Sequence, residues 1–166
     1  FSVHNVEIIS GIVEEFESMP GDCARRRLVP EQPEEIIRYA RSRNPFNHPC
    51  VMFKKSAVES VGSYRTCMQY EDYDLWVRMF QSGMQGYNIQ NTLLWMRVGN
   101  GFYRRRSGFD YFKKALSFQR RLLRTGFISR GRFLWNVICR FTVQSLPLDL
   151  CERFYRHFLR SGGPCR

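Results

Sequence analysis

The sequence predicts an α/β fold that is followed by a tail of basic amphipathic helices. Short apolar runs with strand character alternate with helix-like segments up to about residue 100, and helical spacing prevails afterwards. The charge changes at the same place: residues 1–97 carry 11 Lys/Arg and 12 Asp/Glu, whereas residues 98–166 carry 15 and 3. Hydrophobic residues make up 43% of the 166 residues, which excludes a disordered chain. We therefore divide the chain into residues 1–100 and 101–166.

Local signals define the elements of the first part. Pro33 suits the first turn of a helix, Ser56 and Glu59 match a capping box, and Gly62 and Gly83 stand where helices end. The predicted elements are, in order, a strand at 6–13 that is interrupted or bent near residues 10 and 11, a loop at 18–30, a helix at 33–42, a strand at 50–53, a helical turn at 56–59, a helix at 71–82 and a strand or strand pair at 87–97. This order matches the second half of a doubly wound sheet.

The sequence of the tail predicts three helices, each with a stripe of apolar side chains along one face. The stripes consist of Phe109, Phe112, Leu116 and Leu123, of Phe133, Leu134, Val137, Ile138 and Phe141, and of Cys151, Phe154, Tyr155, Phe158 and Leu159. None of these runs is long enough to cross a bilayer. Arginines interleaved with aromatic residues, including the run at 104–106, favour helices that lie in a membrane interface. The alternative is a helical cap with a solvated basic face.

The residues with the clearest chemical potential are Glu71, Asp72 and Asp74. They stand at a helix start, where the helix dipole favours carboxylates, so the pattern alone favours ordinary capping over a catalytic site. Aromatic residues flank them on both sides, as expected beside a sugar-like ligand. The six cysteines form no C-x-x-C pair, which argues against a zinc site. No signal peptide is evident, and Phe1 opens the chain so close to a strand that we expect further sequence upstream.

Four segments follow one another along the first part of the chain: RNPFNHPCVMFKKS (Arg43–Ser56), VGSYR (Val61–Arg65), EDYDLW (Glu71–Trp76) and LWMR (Leu94–Arg97). Together, and in this order, they resemble segments of bacterial family 2 glycosyltransferases of capsular and exopolysaccharide synthesis. Two positions depart from the family pattern: Cys50 replaces a Ser or Thr, and Ser63 replaces a frequent Gly.

The resemblance implies the carboxy-terminal, acceptor-side part of a GT-A (Rossmann-like) domain. It implies an inverting transfer from a nucleotide-sugar donor to a hydroxyl of a saccharide or lipid-linked acceptor. In the family the Asp of the "E-D" pair is the catalytic base, which here is Asp72. The residues that the resemblance places at the substrates are Glu71, His48, Asn44, Arg97 and Trp76. Glu71 either raises the basicity of Asp72 or binds the acceptor.

The family also uses a divalent metal, Mn²⁺ or Mg²⁺, that an Asp-x-Asp motif in the nucleotide-binding half holds. No such motif precedes Glu71, and the Asp72-Tyr73-Asp74 run matches the base motif instead. We therefore expect the metal ligands mostly outside this chain, and a chain that is inactive alone. The expected location is the cytoplasmic surface of the inner membrane, with no nucleic-acid partner. The alternatives are a basic module that binds nucleic acid or membrane without catalysis, and a degenerate transferase that serves another enzyme as a partner.

Overall fold

The computed structural model describes residues 1, 4–22, 25–67, 69–98, 108–146 and 150. Its elements are, in order, β1 (Ile8–Phe16), β2 (Arg25–Arg27), α1 (Pro33–Ala40), a 3₁₀ turn (His48–Cys50), β3 (Met52–Phe53), α2 (Lys55–Ser60), α3 (Glu71–Gln81), β4 (Gly86–Arg97), α4 (Phe109–Arg124) and α5 (Arg130–Gln144). The predicted mixture of strands and helices is thus confirmed. The arginine run at 104–106 and the third predicted tail helix lie outside the described residues.

The sheet has four strands and is organised around β1. The strand order is β2-β1-β3, and β4 also pairs with β1. Strands β1 and β3 are antiparallel, with Ile8 opposite Phe53 and Ile9 opposite Met52. Because a doubly wound sheet is built mostly of parallel strands, this pair does not support the expected order. The GT-A fold itself stays a prediction.

Two compact units divide the chain. The first consists of residues 1–13 and 29–94, and the second consists of residues 14–28 and 95–166. Strands β1 and β4 each supply residues to both units. The division predicted at residue 100 stays a prediction, although residues 14–28 group with the second unit.

Strand β1 is continuous, so it is not interrupted near Ser10 and Gly11, and a bend there stays a prediction. Gly11 serves a different purpose here. A Cβ atom at this position would lie 2.5 Å from Cδ1 of Leu93 and 3.0 Å from the carbonyl oxygen of Ile89. The glycine therefore permits β4 to approach β1 closely, which is a common reason for a glycine inside a strand.

The segment Arg25–Arg27 forms strand β2, although the sequence predicted a loop there. Acidic side chains of the second unit compensate its charges. Arg26 forms an ion pair of 2.9 Å with Glu14, and Arg25 forms one of 2.9 Å with Glu17 and one of 3.9 Å with Glu15. Opposite charges on paired strands stabilise a sheet, and this long-range pairing outweighs the local preference of three arginines for a loop.

The capping box predicted at Ser56 and Glu59 is also wrong. Helix α2 begins at Lys55, so Ser56 lies inside it, and the residue at the cap position, Lys54, makes no side-chain cap hydrogen bond. Gly62 does follow the end of this helix with a φ of +80°, in the left-handed region that glycine tolerates.

Helix α3 forms the centre of the first unit's core. The predicted four-residue spacing is confirmed, because Leu75, Trp76, Met79 and Phe80 are all buried. Gly83, with a φ of +80°, follows the helix where its end was predicted. Burial of these large side chains fixes the rotation of α3 about its axis, and thereby the direction of the acidic residues in its first turn.

Helices α4 and α5 pack against each other in the second unit. The buried residues of α4 are Ala115, Phe118, Gln119 and Leu122, so the predicted stripe through Phe109 and Leu123 is not the buried one. On α5, Asn136 and Gln144 are the buried residues, and the Asn136 amide donates a 2.9 Å hydrogen bond to Gln119. A polar pair thus occupies the packed side.

The apolar side of α5 is consequently exposed. Its exposed fractions are 59% for Leu134, 61% for Trp135, 50% for Ile138 and 51% for Phe141. The Phe141 ring lies 5.3 Å from that of Phe112 on α4. In the part of the chain that the structure describes, neither α5 nor any other helix is both long and apolar enough to span a membrane.

Ser63, which stands where the resembled family often has Gly, adopts a φ of +52°. A left-handed conformation costs an L-residue about 1–2 kcal/mol of steric strain. Glycine avoids this strain but loses roughly 0.5–1 kcal/mol more in chain entropy on folding. We therefore expect Ser63→Gly to raise the free energy of unfolding by about 0.5–1 kcal/mol in denaturant titrations. Ser56→Gly, inside α2, is the control and should lower it by about 0.5 kcal/mol. A loss of stability in Ser63→Gly would contradict the strained turn.

Candidate functional site

Asp72 lies in the first turn of α3, and its carboxylate is held by two donors. Oδ1 accepts a 2.7 Å hydrogen bond from the backbone N–H of Tyr73, and Oδ2 accepts one of 2.7 Å from Nδ2 of Asn44. The side chain is only partly buried. Each carboxylate oxygen has a second lone pair that a further donor, such as a hydroxyl group, can use.

The neighbours of Asp72 on α3 point into the core. The hydroxyl group of Tyr73 donates a 2.5 Å hydrogen bond to the carbonyl oxygen of Ala40, at the end of α1. Both Tyr73 and Trp76 are almost completely inaccessible to solvent. The orientation of Asp72 therefore follows from the packing of the residues around it in the helix.

An aromatic side chain that the sequence interpretation missed, Tyr64, lies beside Asp72. Partial burial, and then the negative charge of Asp72, raise the pKa of the Tyr64 phenol. The Tyr64 ring centroid lies 6.2 Å from that of His48 in an edge-to-face arrangement, and both side chains are exposed. The signal for Tyr64 was the VGSYR segment, which was used for the family resemblance but assigned no site residue. The structure thus groups Asp72, Asn44, Tyr64 and His48, and we call these four residues the Asp72 cluster.

Trp76 packs against His48 of the Asp72 cluster. It is fully buried, and its ring centroid lies 6.1 Å from that of His48 and 5.6 Å from that of Phe46. This burial gives no support to the expectation that Trp76 contacts a substrate directly. Trp76 instead belongs to the buried aromatic residues that His48 packs against.

Asp74 and Arg78 form a buried clamp between α3 and the turn before it. The Arg78 guanidinium donates through Nε to Oδ2 of Asp74 at 2.9 Å. Its two Nη atoms donate to the carbonyl oxygens of Val61 and Ser63. Asp74 is therefore committed to a structural ion pair and is poorly placed to serve as a metal ligand beside Asp72.

Glu71 and Arg97 make contacts of their own. Oε1 of Glu71 accepts a 3.0 Å hydrogen bond from the backbone of Gln69, which has a φ of +77°. Arg97 belongs to the second unit, where its guanidinium lies 5.3 Å from the Phe16 ring centroid and 3.4 Å from the carbonyl oxygen of Ser18. The substrate contacts expected of both residues stay predictions.

Among the described residues, the structure contains no group of three or more His, Cys, Asp or Glu side chains that could hold a metal ion. Within these described ranges the chain therefore does not supply a complete site for the expected Mn²⁺ or Mg²⁺.

Comparison with known proteins identifies related sequences. No family model matches this sequence, and no solved structure matches it. The "UDP-Gal:alpha-D-GlcNAc-diphosphoundecaprenol beta-1,3-galactosyltransferase" of Escherichia coli is 38% identical over 94% of this chain and 56% of its own length. An "Uncharacterized glycosyltransferase" of Haemophilus influenzae is 34% identical over 92% of this chain and 57% of its own length. The "Amylovoran biosynthesis glycosyltransferase AmsE" of Erwinia amylovora is 34% identical over 79% and 49%, respectively.

The chain thus spans about half the length of the curated relatives that it matches. Because these relatives are all named glycosyltransferases, the glycosyltransferase part of the predicted resemblance is confirmed. Membership of family 2 stays a prediction.

The position of Tyr64 beside Asp72 predicts an electrostatic link between the two side chains. A carboxylate disfavours the phenolate form, so we expect Asp72→Asn to lower the pKa of Tyr64. The measurement is a pH titration of ¹³Cζ-tyrosine NMR signals, with the Tyr64 signal assigned through Tyr64→Phe. Glu34→Gln, which removes an exposed carboxylate from α1 in the same unit, is the matched control. An unchanged Tyr64 titration in Asp72→Asn would show that the two groups do not interact.

Proposed function

We propose that this chain forms the acceptor side of a glycosyltransferase, with Asp72 as the catalytic base. The observation that carries the proposal is the position of Asp72 in the first turn of α3, hydrogen-bonded by Asn44 and next to the exposed ring of Tyr64, which in turn contacts His48. The similarity to named glycosyltransferases over most of the chain supports it.

The chemistry required of Asp72 is proton removal. A sugar hydroxyl is a weak nucleophile until a base within hydrogen-bonding distance accepts its proton. As the acceptor oxygen bonds to the anomeric carbon of the donor, Asp72 takes the hydroxyl proton, and the bond from that carbon to the diphosphate breaks. A single displacement of this kind inverts the anomeric configuration. Tyr64 and His48 offer rings on which the acceptor sugar rests, since aromatic faces pack well against apolar sugar faces.

The leaving diphosphate gains negative charge, which a divalent metal bound elsewhere in the complete enzyme would stabilise. The described residues do not form such a metal site. We expect the metal ligands to lie mostly outside this chain.

For the substrates, the relatives suggest a starting point. The name of the Escherichia coli protein specifies UDP-Gal and a GlcNAc that is joined through a diphosphate to undecaprenol. The name of the Erwinia amylovora protein specifies the biosynthesis of the polysaccharide amylovoran. We extend to this chain only the chemical classes, a nucleotide-sugar donor and a saccharide or lipid-linked acceptor, in the synthesis of a surface polysaccharide.

We further propose that the second unit docks onto the anionic surface of the inner membrane. The docking face consists of Leu134, Trp135, Ile138 and Phe141 on α5, each of which is half exposed or more. Helix α5 contains no acidic residue, and Arg130 and Arg132 lie exposed in its first turn. An exposed apolar stripe between cationic side chains is typical of helices that lie in a membrane interface.

The proposed base predicts a selective loss of activity in Asp72→Asn. In the full-length gene product that contains this chain, we expect kcat to fall about 10²- to 10⁴-fold, the usual contribution of a general base. The assay measures release of UDP from UDP-Gal with a short-chain lipid-diphospho-GlcNAc acceptor, followed by a panel of other nucleotide sugars if this pair is not used.

Asp110→Asn is the matched control, because Asp110 is also an acidic residue in the first turn of a helix, α4. It should leave kcat unchanged. Full activity of Asp72→Asn would refute the base assignment. If the wild-type protein transfers sugar from none of the donors in the panel, the proposed glycosyltransferase activity is refuted and the non-catalytic binding module is favoured.

The docking face predicts that apolar substitutions weaken membrane binding. In flotation with vesicles of phosphatidylglycerol and phosphatidylcholine, we expect Trp135→Ser combined with Ile138→Ser to reduce the bound fraction at least about tenfold. Met52→Ser is the control, since Met52 is equally exposed but belongs to the first unit. Binding that is unaffected by the double substitution would refute this face. Tight binding of single-stranded RNA without vesicle binding would favour a nucleic-acid partner instead.

A further inference from the structure

Asn44 lies in a loop whose conformation is strongly determined. Pro45 follows it and restricts Asn44 to extended backbone conformations. The next residue, Phe46, is fully buried, and the Asn47 amide donates a 2.7 Å hydrogen bond to the carbonyl oxygen of Gly11 on β1. On the other side, the backbone N–H of Arg43 bonds to the last turn of α1. The Asn44 side chain therefore starts from a backbone that is fixed at both ends.

The direction of the Asn44 amide is determined as well. Its Oδ1 accepts a 3.3 Å hydrogen bond from the backbone N–H of Phe46. The oxygen end of the amide is therefore engaged with its own loop, and the NH₂ end faces Asp72. The reversed amide would set its NH₂ group against the N–H of Phe46, and its oxygen against the Asp72 carboxylate. Only one orientation satisfies both neighbours.

Two donors from different directions fix the Asp72 carboxylate. The Tyr73 N–H holds Oδ1 and the Asn44 amide holds Oδ2, each at 2.7 Å. The first donor comes from the helix that carries Asp72, so by itself it fixes the carboxylate only relative to α3. The second comes from a residue 28 positions away in the sequence and ties the carboxylate to the loop after α1. Hydrogen bonds to an ionised carboxylate are about twice as strong as those between neutral groups.

We propose that Asn44 is a positioning residue that orients the Asp72 carboxylate toward the acceptor hydroxyl. The inference rests on the proposed function of Asp72 and revises the expectation that Asn44 binds substrate. The Asn44 amide engages Oδ2 on one side and leaves the remaining lone pairs of the carboxylate for the incoming hydroxyl proton.

The test is a double-mutant cycle in the full-length gene product. Asn44→Ala removes the donor, so we expect kcat to fall about 10- to 100-fold, because a small misplacement of a reacting group is costly. KM for the acceptor should stay within about twofold, since a residue that acts through Asp72 does not bind substrate. In the Asp72→Asn background, Asn44→Ala should have no further effect on kcat.

Asn44→Asp controls for folding. The new carboxylate keeps the size of the side chain and can still accept from the Phe46 N–H, but it cannot donate to Asp72 and repels it. We expect it to lower kcat more than Asn44→Ala does, with a melting temperature close to that of the wild type. Asn91→Ala, an exposed asparagine on β4, is the neutral control.

The outcomes separate this inference from the proposed function. A rise in KM with kcat unchanged, or independent effects of Asn44→Ala and Asp72→Asn, would make Asn44 a substrate-binding residue and overturn the inference alone. A wild-type kcat in Asn44→Asp would also overturn it. Full activity of Asp72→Asn would instead remove the base assignment on which the inference rests.

Discussion

The first unit depends above all on the guanidinium group of Arg78. Its hydrogen bonds join Asp74 on α3 to the carbonyl oxygens of Val61 and Ser63 in the preceding turn. Both charged side chains are largely buried, so the loss of either leaves the other desolvated and unpaired, at a cost of about 3–5 kcal/mol. Because Tyr64 follows the turn directly, the geometry of the Asp72 cluster depends on an ion pair that does not itself belong to it.

The fold could be predicted from the sequence where local patterns determine it. Helix α3 was predicted almost to the residue, because its buried side chains recur every four positions and Gly83 ends it. Strand β2 could not be predicted, because three consecutive arginines indicate a strand only when acidic partners on another strand are known. For α5 the helical periodicity was recognised in the sequence. The side of α5 that packs against α4 contains the Asn136–Gln119 hydrogen bond, and a pattern of apolar residues does not reveal a polar contact.

The site was predictable to a similar extent. Asp72 was identified through the short EDYDLW segment, in which the carboxylates and the helix start are adjacent in the sequence. Tyr64 was not identified as a site residue, because it comes from a loop whose contact with Asp72 has no sequence signal. Asn44 was identified as a substrate residue, but its hydrogen bond to Asp72 was not predicted. The direction of an amide group depends on its hydrogen-bond partners, and no one-dimensional pattern contains that information.

Pro45 has a chemical consequence for the amide of Asn44 besides the conformational one. Spontaneous deamidation of asparagine begins when the backbone nitrogen of the next residue attacks the side-chain amide carbon. The nitrogen of proline carries no hydrogen, so this ring closure is blocked at Asn44. Elsewhere such ageing slowly converts asparagine to aspartate, which at this position would set a second carboxylate against Asp72. The order Asn-Pro thus removes this route of deamidation from the residue that donates to Asp72.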